Sequence, residues 1–310
     1  MSSVKKHLDV IIIGAGVAGM SAALWCDELK LKAVILEKEN RPGGQLHIIY
    51  NRIENHLGIK AKDGADLYKR FLKHLESRNI SIKTSVNISK VDLERKEILL
   101  SDGKKLSATN LIIATGVRRR KLNIEGEDEF QGKGILTSGK KDAEKVRGKT
   151  VCIIGGGDAA LENALILSQK AKKVFLIHRR EDFRARSEFI EKVKNNGKIE
   201  VLTNTVAKKI IGHSCVEGVE LEDLTTKQSF FIPVQSVLIR IGVEPNTELF
   251  KDQVETDSFG YIRVNENCET NLKGVFAVGD VANRLSPTIS TAVGTGATAV
   301  KFISTQNFHA

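Results

Sequence analysis

Residues 10–37 and residues 151–178 are two copies of one pattern, and no other feature constrains this chain so tightly. Displaced by 141 residues, the copies align without a gap. Val10, Ile12, Ile13, Gly14, Gly16, Ala18, Ala23, Leu24 and Lys32 each meet an identical residue. Each copy reads as an apolar run, a glycine turn, an alanine- and leucine-rich helix and a second apolar run. Unbroken apolar strands are those of a parallel sheet covered on both faces, and strand–helix–strand units in series build α/β domains. The pattern predicts an α/β chain with two Rossmann-like, three-layer domains.

The glycines carry chemistry as well as geometry. In the first copy Gly14, Gly16 and Gly19 have the spacing of a dinucleotide turn, where the first glycine turns tightly, the second admits a pyrophosphate and the third lets helix pack on strand. Val17 and Ala18 open the following helix, whose N-terminus would face the phosphates. Glu37 closes the second strand, where a carboxylate accepts hydrogen bonds from an adenosine ribose. In the second copy Gly155, Gly156, Gly157 and Ala160 keep the turn, and Asp158 and Ala159 open the helix. His178, Arg179, Arg180 and Arg184 now follow the second strand. Loss of the carboxylate removes repulsion against a ribose 2′-phosphate, and guanidiniums offer it bidentate contacts. The first site is therefore expected to take a dinucleotide with a free 2′-hydroxyl and the second to take NADPH. Two such sites in one chain suggest a flavin–nicotinamide enzyme.

A length of 310 residues suits roughly two domains. The simplest order inserts the second nucleotide domain, 117–243, into a first domain made of 1–116 and 244–310. Between the copies, 63–78 reads as a helix and the stretch up to 116 as β-hairpins and an apolar strand; 201–237 returns to strands, and 288–300 starts a helix. Lys5 and Lys6 ahead of the apolar run 10–23 imitate a signal peptide, but Asp9 and the spaced glycines read as structure. No run approaches the roughly 18 apolar residues of a membrane helix, so no membrane association is expected. The four cysteines, Cys26, Cys152, Cys215 and Cys268, lie far apart without metal-ligand spacing. That pattern fits a reducing cytoplasm. The net charge of +10 is concentrated in 117–198, which holds 20 Lys/Arg against 12 Asp/Glu. Within it, the run 118–121 reads either as a solvated linker or as a docking patch for an acidic protein. Nucleic acid is disfavoured: aromatic residues are 5% of the chain and form no stacking pattern among the basic ones.

The motifs in order, GAGVAG (14–19), Glu37, GGQL (43–46), IEN (53–55), ATG (114–116), GGGDAALE (155–162), HRREDFRA (178–185), GVEPN (242–246) and GVFAVGD (274–280), resemble the low-molecular-weight thioredoxin reductase family over nearly the whole chain. The resemblance implies a homodimer, with FAD in the discontinuous outer domain and NADPH in the inserted one. It places Gly44, Gln45, Leu46, Asn55, Val86, Ala114, Thr115, Gly116, Gly279, Asp280, Thr288 and Ile289 around FAD, with Asp280 on the ribityl chain. It places Glu162 near the nicotinamide, as a candidate for the reaction.

Two departures qualify the resemblance. The family carries CxxCD before the second fingerprint; here Ser138 and Lys141 stand where the cysteines belong, and Asp142 alone of the motif remains. Serine and lysine cannot form the disulfide that exchanges with a substrate. Asp142 and Lys141 become candidates for a different role, with Lys140 and Lys141 available to an acidic partner. Beside the flavin, the family's Arg-Gln-Ala is replaced by Pro287, Thr288 and Ile289. Three functions stay open. The first is an FAD-dependent NADPH oxidoreductase passing electrons directly to an external acceptor such as ferredoxin or flavodoxin. The second is a reductase of thioredoxin or a small disulfide through an external dithiol or disulfide. The third is a non-catalytic flavoprotein that senses redox or nucleotide state.

Overall fold

The computed structural model describes residues 8–306; the ends of the expected outer domain, 1–7 and 307–310, lie outside the described residues, and Lys5 and Lys6 with them. In chain order the elements begin with β1 (Leu8–Ile13), α1 (Val17–Glu28), β2 (Ala33–Leu36), α2 (Gly64–Glu76), β3 (Ser81–Lys83), β4 (Ile88–Asp92), β5 (Glu97–Leu100), β6 (Lys105–Ile113) and β7 (Val117–Arg119). Next come α3 (Gly139–Asp142), β8 (Thr150–Ile154), α4 (Asp158–Ser168), β9 (Lys173–Ile177), α5 (Ser187–Lys194), β10 (Ile199–Leu202), β11 (Thr205–Gly212), β12 (Val216–Asp223) and β13 (Ser229–Pro233). The series ends with β14 (Ser236–Ile239), β15 (Val243–Pro245), β16 (Val275–Ala277) and α6 (Ile289–Gln306). The chain divides into two compact units, between Arg118 and Arg119 and again between Val243 and Glu244.

In the outer unit the strands run β3-β2-β1-β6 in parallel, with β16 on the other side of β6. The first residues of β6 pair with β5 antiparallel, and β5 with β4, so one strand serves both a parallel core and a hairpin. Side chains of β1 alternate between layers, as the period of a strand requires. Val10 and Ile12 pack on Ala22, Ala299 and Ile303 of α1 and α6, whereas Ile11 and Ile13 pack on Val91, Ile98 and Phe250. Helix α2 starts at Asp63, whose carboxylate accepts the Asp66 amide at 2.9 Å, a cap that stabilises a helix by about 1 kcal/mol. It seats Leu67 and Leu75 against Met20 and Leu46.

The inserted unit repeats the arrangement, with parallel strands in the order β10-β9-β8-β14 and an antiparallel sheet β11-β12-β13. Val151 and Ile153 of β8 face Ala160, Leu161 and Ala164 of α4. Cys152 and Ile154 face Val219 and Ile232 of the antiparallel sheet. Each unit is thus three-layered, with helices on one face of the parallel sheet and β-structure on the other.

The side chains of the basic run 118–121 are each held by groups of the protein itself. Arg118 pairs with Glu244 at 2.8 Å and with Glu248, and donates to Asn246 Oδ1 at 3.0 Å. Arg119 donates to the Thr137 carbonyl, Arg120 to the Val243 carbonyl at 3.0 Å, and Lys121 pairs with Asp128. Exposed ion pairs add little stability, about 1 kcal/mol at most. They do bind the side chains in place and neutralise the charges of Arg118 and Lys121, and a composition count cannot see that.

Candidate dinucleotide sites

In the outer unit the turn after β1 is forced by local chemistry. Gly14 has φ +105°, and a Cβ there would lie 2.5 Å from the Ala114 carbonyl oxygen, so a side chain is excluded twice over. The Gly14 amide donates to Leu36 at 2.8 Å, which ties the turn to the end of β2. Glu37 follows and is buried. Its Oε2 accepts the Ala15 amide at 2.6 Å and its Oε1 accepts Glu39 at 2.9 Å. A carboxylate oxygen has a second lone pair, so Glu37 can hold the turn and still accept from a sugar hydroxyl. The Glu37 carbonyl accepts the Val86 amide at 2.9 Å.

Gly16 sits extended at the N-terminus of α1, with no side chain capping the first turn, where Val17 and Ala18 lie. A Cβ on Gly16 would meet nothing within 4 Å, so the face over the turn is open. Gly19, one turn on, packs against the Gly14 carbonyl. The Gly43 amide donates to the Ala15 carbonyl at 2.8 Å and brings Gly44 beside Gly16. Gln45 donates to the Val117 carbonyl at 3.0 Å. Asn55 is exposed on the loop beyond. Leu46, expected around FAD, instead points its side chain into the core beside Met20 and Leu67.

Ala114, Thr115 and Gly116 close the opposite side. Thr115 donates to the Asn246 carbonyl at 2.7 Å, and the Asn246 side chain donates back to Thr115 at 2.8 Å. Gly279 packs on Ala18 of α1, and Asp280 follows it. Among the described residues the Asp280 carboxylate has no hydrogen-bond partner, and burial pushes its pKa up. A half-buried acid left unsatisfied by protein is the signature of a group whose partner is a ligand. Thr288 caps the start of α6 through Thr291, with Ile289 the first helical residue. An open phosphate turn, a ribose-height carboxylate and an unsatisfied acid together fit a flavin dinucleotide.

The inserted unit builds the same turn with other side chains. Gly155 has φ +151°, and a Cβ there would strike the Arg240 carbonyl at 2.1 Å. Its amide donates to Ile177 at 3.0 Å, the counterpart of the Gly14 bond. His178 lies buried beneath Gly156, stacked on Phe183, with Nε2 3.0 Å from the Asp182 carbonyl oxygen. Burial lowers its pKa, and the charges of Arg180, Arg179 and Arg184 lower it further. His178 is therefore a neutral floor to the turn, while Arg179, Arg180 and Arg184 are exposed. Among the described residues these three arginines make no ion pair with a carboxylate. Gly157 is open and leads into α4, where no side chain caps the first turn. Asp158 is held by Arg186 at 3.1 Å, and Ala159 accepts from Asn163 at 2.6 Å. Glu162 is half-exposed on α4. The open turn and the unpaired guanidiniums fit a dinucleotide bearing a 2′-phosphate.

Ser138 is the N-cap of the short helix α3, and Lys141 lies within it. Asp142 is almost fully buried, and its Oδ2 accepts the Thr137 amide at 2.8 Å, the Thr137 hydroxyl at 3.0 Å and the Ser138 amide at 3.0 Å. Its Oδ1 pairs with Lys145 at 2.8 Å. Burial alone would raise the Asp142 pKa, but Lys145 and the Ser138 and Thr137 donors outweigh it and hold it at about 2. A carboxylate so engaged orders the loop and carries no proton at neutral pH. Lys140 and Lys141 are exposed.

The cysteines do not replace a dithiol. Cys26 and Cys152 are buried in α1 and β8, and burial drives both thiols up, Cys26 to about 12. Cys268 is raised by burial to about 11, and Cys215 is exposed. Among the described residues no group of His, Cys, Asp or Glu is placed to hold a metal, and no helix is long and apolar enough to cross a membrane. Sequence reasoning gave no role to Asn163 or Arg240, or to Asn246 within GVEPN; each meets one backbone group distant in sequence, the Gly139 amide, the Thr137 carbonyl and the Thr115 carbonyl respectively, and such bonds leave no spacing to read.

The family profile described as pyridine nucleotide-disulphide oxidoreductase matches residues 8–296. A thioredoxin reductase of Mycoplasma genitalium is 36% identical over 295 residues, covering 94% of this chain and 93% of its own. A protein of Clostridium pasteurianum described as a 34.2 kDa protein in rubredoxin operon is 35% identical over 296 residues, covering 95% and 96%. The crystal structure of Lactococcus lactis thioredoxin reductase in its FR conformation superposes with a TM-score of 0.84 at 30% identity, covering 98% of this chain and all of that one.

Proposed function

The chain belongs to the pyridine nucleotide-disulphide oxidoreductase family as a thioredoxin reductase-like member, and we propose that it is an FAD-dependent NADPH oxidoreductase that hands electrons directly to an external acceptor. The observation that carries this reading is a contrast. Both dinucleotide turns are intact, yet Ser138 and Lys141 stand where the resemblance puts the redox-active cysteines. Electrons entering from NADPH then have no internal disulfide to reach.

Each chain residue has a bounded task. The Gly14–Gly16 turn and Glu37 would hold the pyrophosphate and adenosine ribose of FAD, and Asp280 would accept from its ribityl hydroxyls. Gly155–Gly157 would hold the NADPH pyrophosphate, with Arg179, Arg180 and Arg184 on the 2′-phosphate. When bound, FAD would supply the redox chemistry between NADPH and the acceptor. Asp142 keeps the 137–142 loop ordered, which leaves Lys140 and Lys141 displayed for an acidic partner. Charge complementarity of that kind speeds encounter more than it tightens binding. The relative from a rubredoxin operon supports a small electron-transfer protein as the acceptor class. A homodimer is the assembly proposed with this reading.

Anaerobic stopped-flow mixing of the yellow protein with NADPH and then NADH tests it. Fast bleaching by NADPH, slow bleaching by NADH and reoxidation by ferredoxin, flavodoxin or rubredoxin are expected. Reoxidation by thioredoxin or small disulfides alone would establish the disulfide reductase instead. A flavin that neither nucleotide bleaches would defeat both and leave the sensor.

A further inference from the structure

The order β10-β9-β8-β14 sets the direction in which a dinucleotide crosses the inserted unit. Ligands of such sheets lie across the carboxyl ends of the strands, at the point where the strand order reverses. That point is between β8 and β14, with β9 on the far side of β8. Arg179, Arg180 and Arg184 follow β9, so the adenosine half belongs on that side. The nicotinamide half then runs toward β14.

Arg240 is the residue that follows β14. Its amide donates to Ile154 at 2.7 Å, and its carbonyl is the group that excludes a side chain from Gly155. It thus abuts the phosphate turn from the side opposite the arginine cluster. Its guanidinium donates to the Ile239 carbonyl at 2.8 Å and the Thr137 carbonyl at 2.7 Å, and Arg119 donates to the same Thr137 oxygen. Two like charges therefore converge on one neutral acceptor. Among the described residues Arg240 makes no ion pair, and the nearby Asp142 is committed to Lys145. Burial, and after it the Arg119 charge, lowers the Arg240 pKa to about 10, with Asp142 a weaker opposing influence. A half-buried guanidinium without an anion is costly, and a guanidinium keeps donors beyond the two already used.

We propose that Arg240 binds the nicotinamide-side phosphate of the dinucleotide, gripping the half of the ligand that the 2′-phosphate arginines do not reach. This rests on the reading of the inserted unit as the NADPH site. The resemblance gives no role to this position, and the neutralising charge of a phosphate accounts for a cation that loop anchoring alone would not require.

The test is isothermal titration of the FAD-loaded protein with NADP+ and with 2′,5′-ADP, which lacks the nicotinamide half. R240Q is expected to weaken NADP+ by about tenfold or more, the range of a charge-assisted contact, and to leave 2′,5′-ADP within about twofold. R240K keeps a point charge without the fork and is expected to bind NADP+ about threefold more weakly; it carries the test if R240Q does not fold. Unchanged NADP+ affinity in the variant that folds, or equal loss of both ligands, would overturn the assignment and leave Arg240 as an anchor for Thr137. A wild-type protein that binds neither ligand would overturn the NADPH reading itself, and the assignment with it.

Discussion

The Arg184 amide donates to the Gly156 carbonyl at 2.8 Å, and the same bond, at the same length, joins Gly43 to Ala15 in the outer unit. The two pairs are 141 residues apart, the displacement of the repeat. The duplicated scaffold therefore extends past the second strand into the loop that returns to the phosphate turn. What differs is the side chain delivered there: none at Gly43, a guanidinium at Arg184. One backbone path thus sets up two cofactor preferences.

Nucleotide choice should follow from that guanidinium and its neighbours. R184A is expected to lower kcat/KM for NADPH by about tenfold, and R179A/R180A/R184A by at least about a hundredfold. The NADH value should stay within about threefold for both variants, because NADH presents no 2′-phosphate. Steady-state kinetics with both nucleotides and one artificial acceptor checks this. A parallel loss with NADH would assign the arginines to general binding.

Glu37 holds the turn through the Ala15 amide and, in the proposed FAD site, would also accept from the sugar. E37Q keeps an oxygen for the Ala15 amide, whereas E37A strands that buried donor, a loss of about 1–3 kcal/mol. E37A should retain FAD at least about tenfold more weakly than wild type, and E37Q should fall between the two. Absorbance at the flavin band per mole of protein, read after dilution and desalting, gives the ranking. Equal retention in all three would remove Glu37 from the cofactor site.

Much of this was legible in the sequence because the demands are local. A strand that turns sharply into a helix beneath a phosphate needs glycine at fixed offsets, so Gly14 and Gly155 are readable as letters. The strand alternation of Val10, Ile11, Ile12 and Ile13 between two layers follows from period alone. What stayed hidden depends on backbone carbonyls, which every residue has. Arg240 and Arg119 meet on the Thr137 oxygen, and Asn246 clamps Thr115; neither bond has a spacing to read. Leu46 shows the converse. It travels inside a flavin motif, yet a helical turn rotates it into the core. Motif membership does not say which residues face the ligand and which support it from below.

Cysteine chemistry should be dispensable. With Cys26 held at about 12 and Cys268 at about 11 by burial, neither thiol ionises appreciably at neutral pH. Replacing all four cysteines by alanine is expected to leave NADPH-driven reduction of an electron-transfer acceptor within about threefold of wild type. Iodoacetamide on the native protein should label Cys215 first, as peptide mass mapping would show. Loss of turnover in the cysteine-free protein, with FAD still bound, would restore a thiol to the mechanism.

The loop that replaces the dithiol should report itself through pH. Asp142 titrates at about 2 when folded, below its ordinary 3.8, so the folded state favours the carboxylate. A depressed carboxylate contributes stability that is fully present above the unfolded pKa and lost as pH falls through the folded one. D142A should therefore be less stable than wild type by ~2 kcal/mol from pH 7 down to about pH 5. The gap should narrow between about pH 4 and pH 2 as the wild-type carboxylate takes up its proton. D142N retains an acceptor for Thr137 and Ser138 but not the Lys145 pair, and should recover part of the loss. Urea midpoints of the three proteins across that range measure the effect. A gap that stays constant down to pH 2 would mean that packing, not the charge of Asp142, secures the loop.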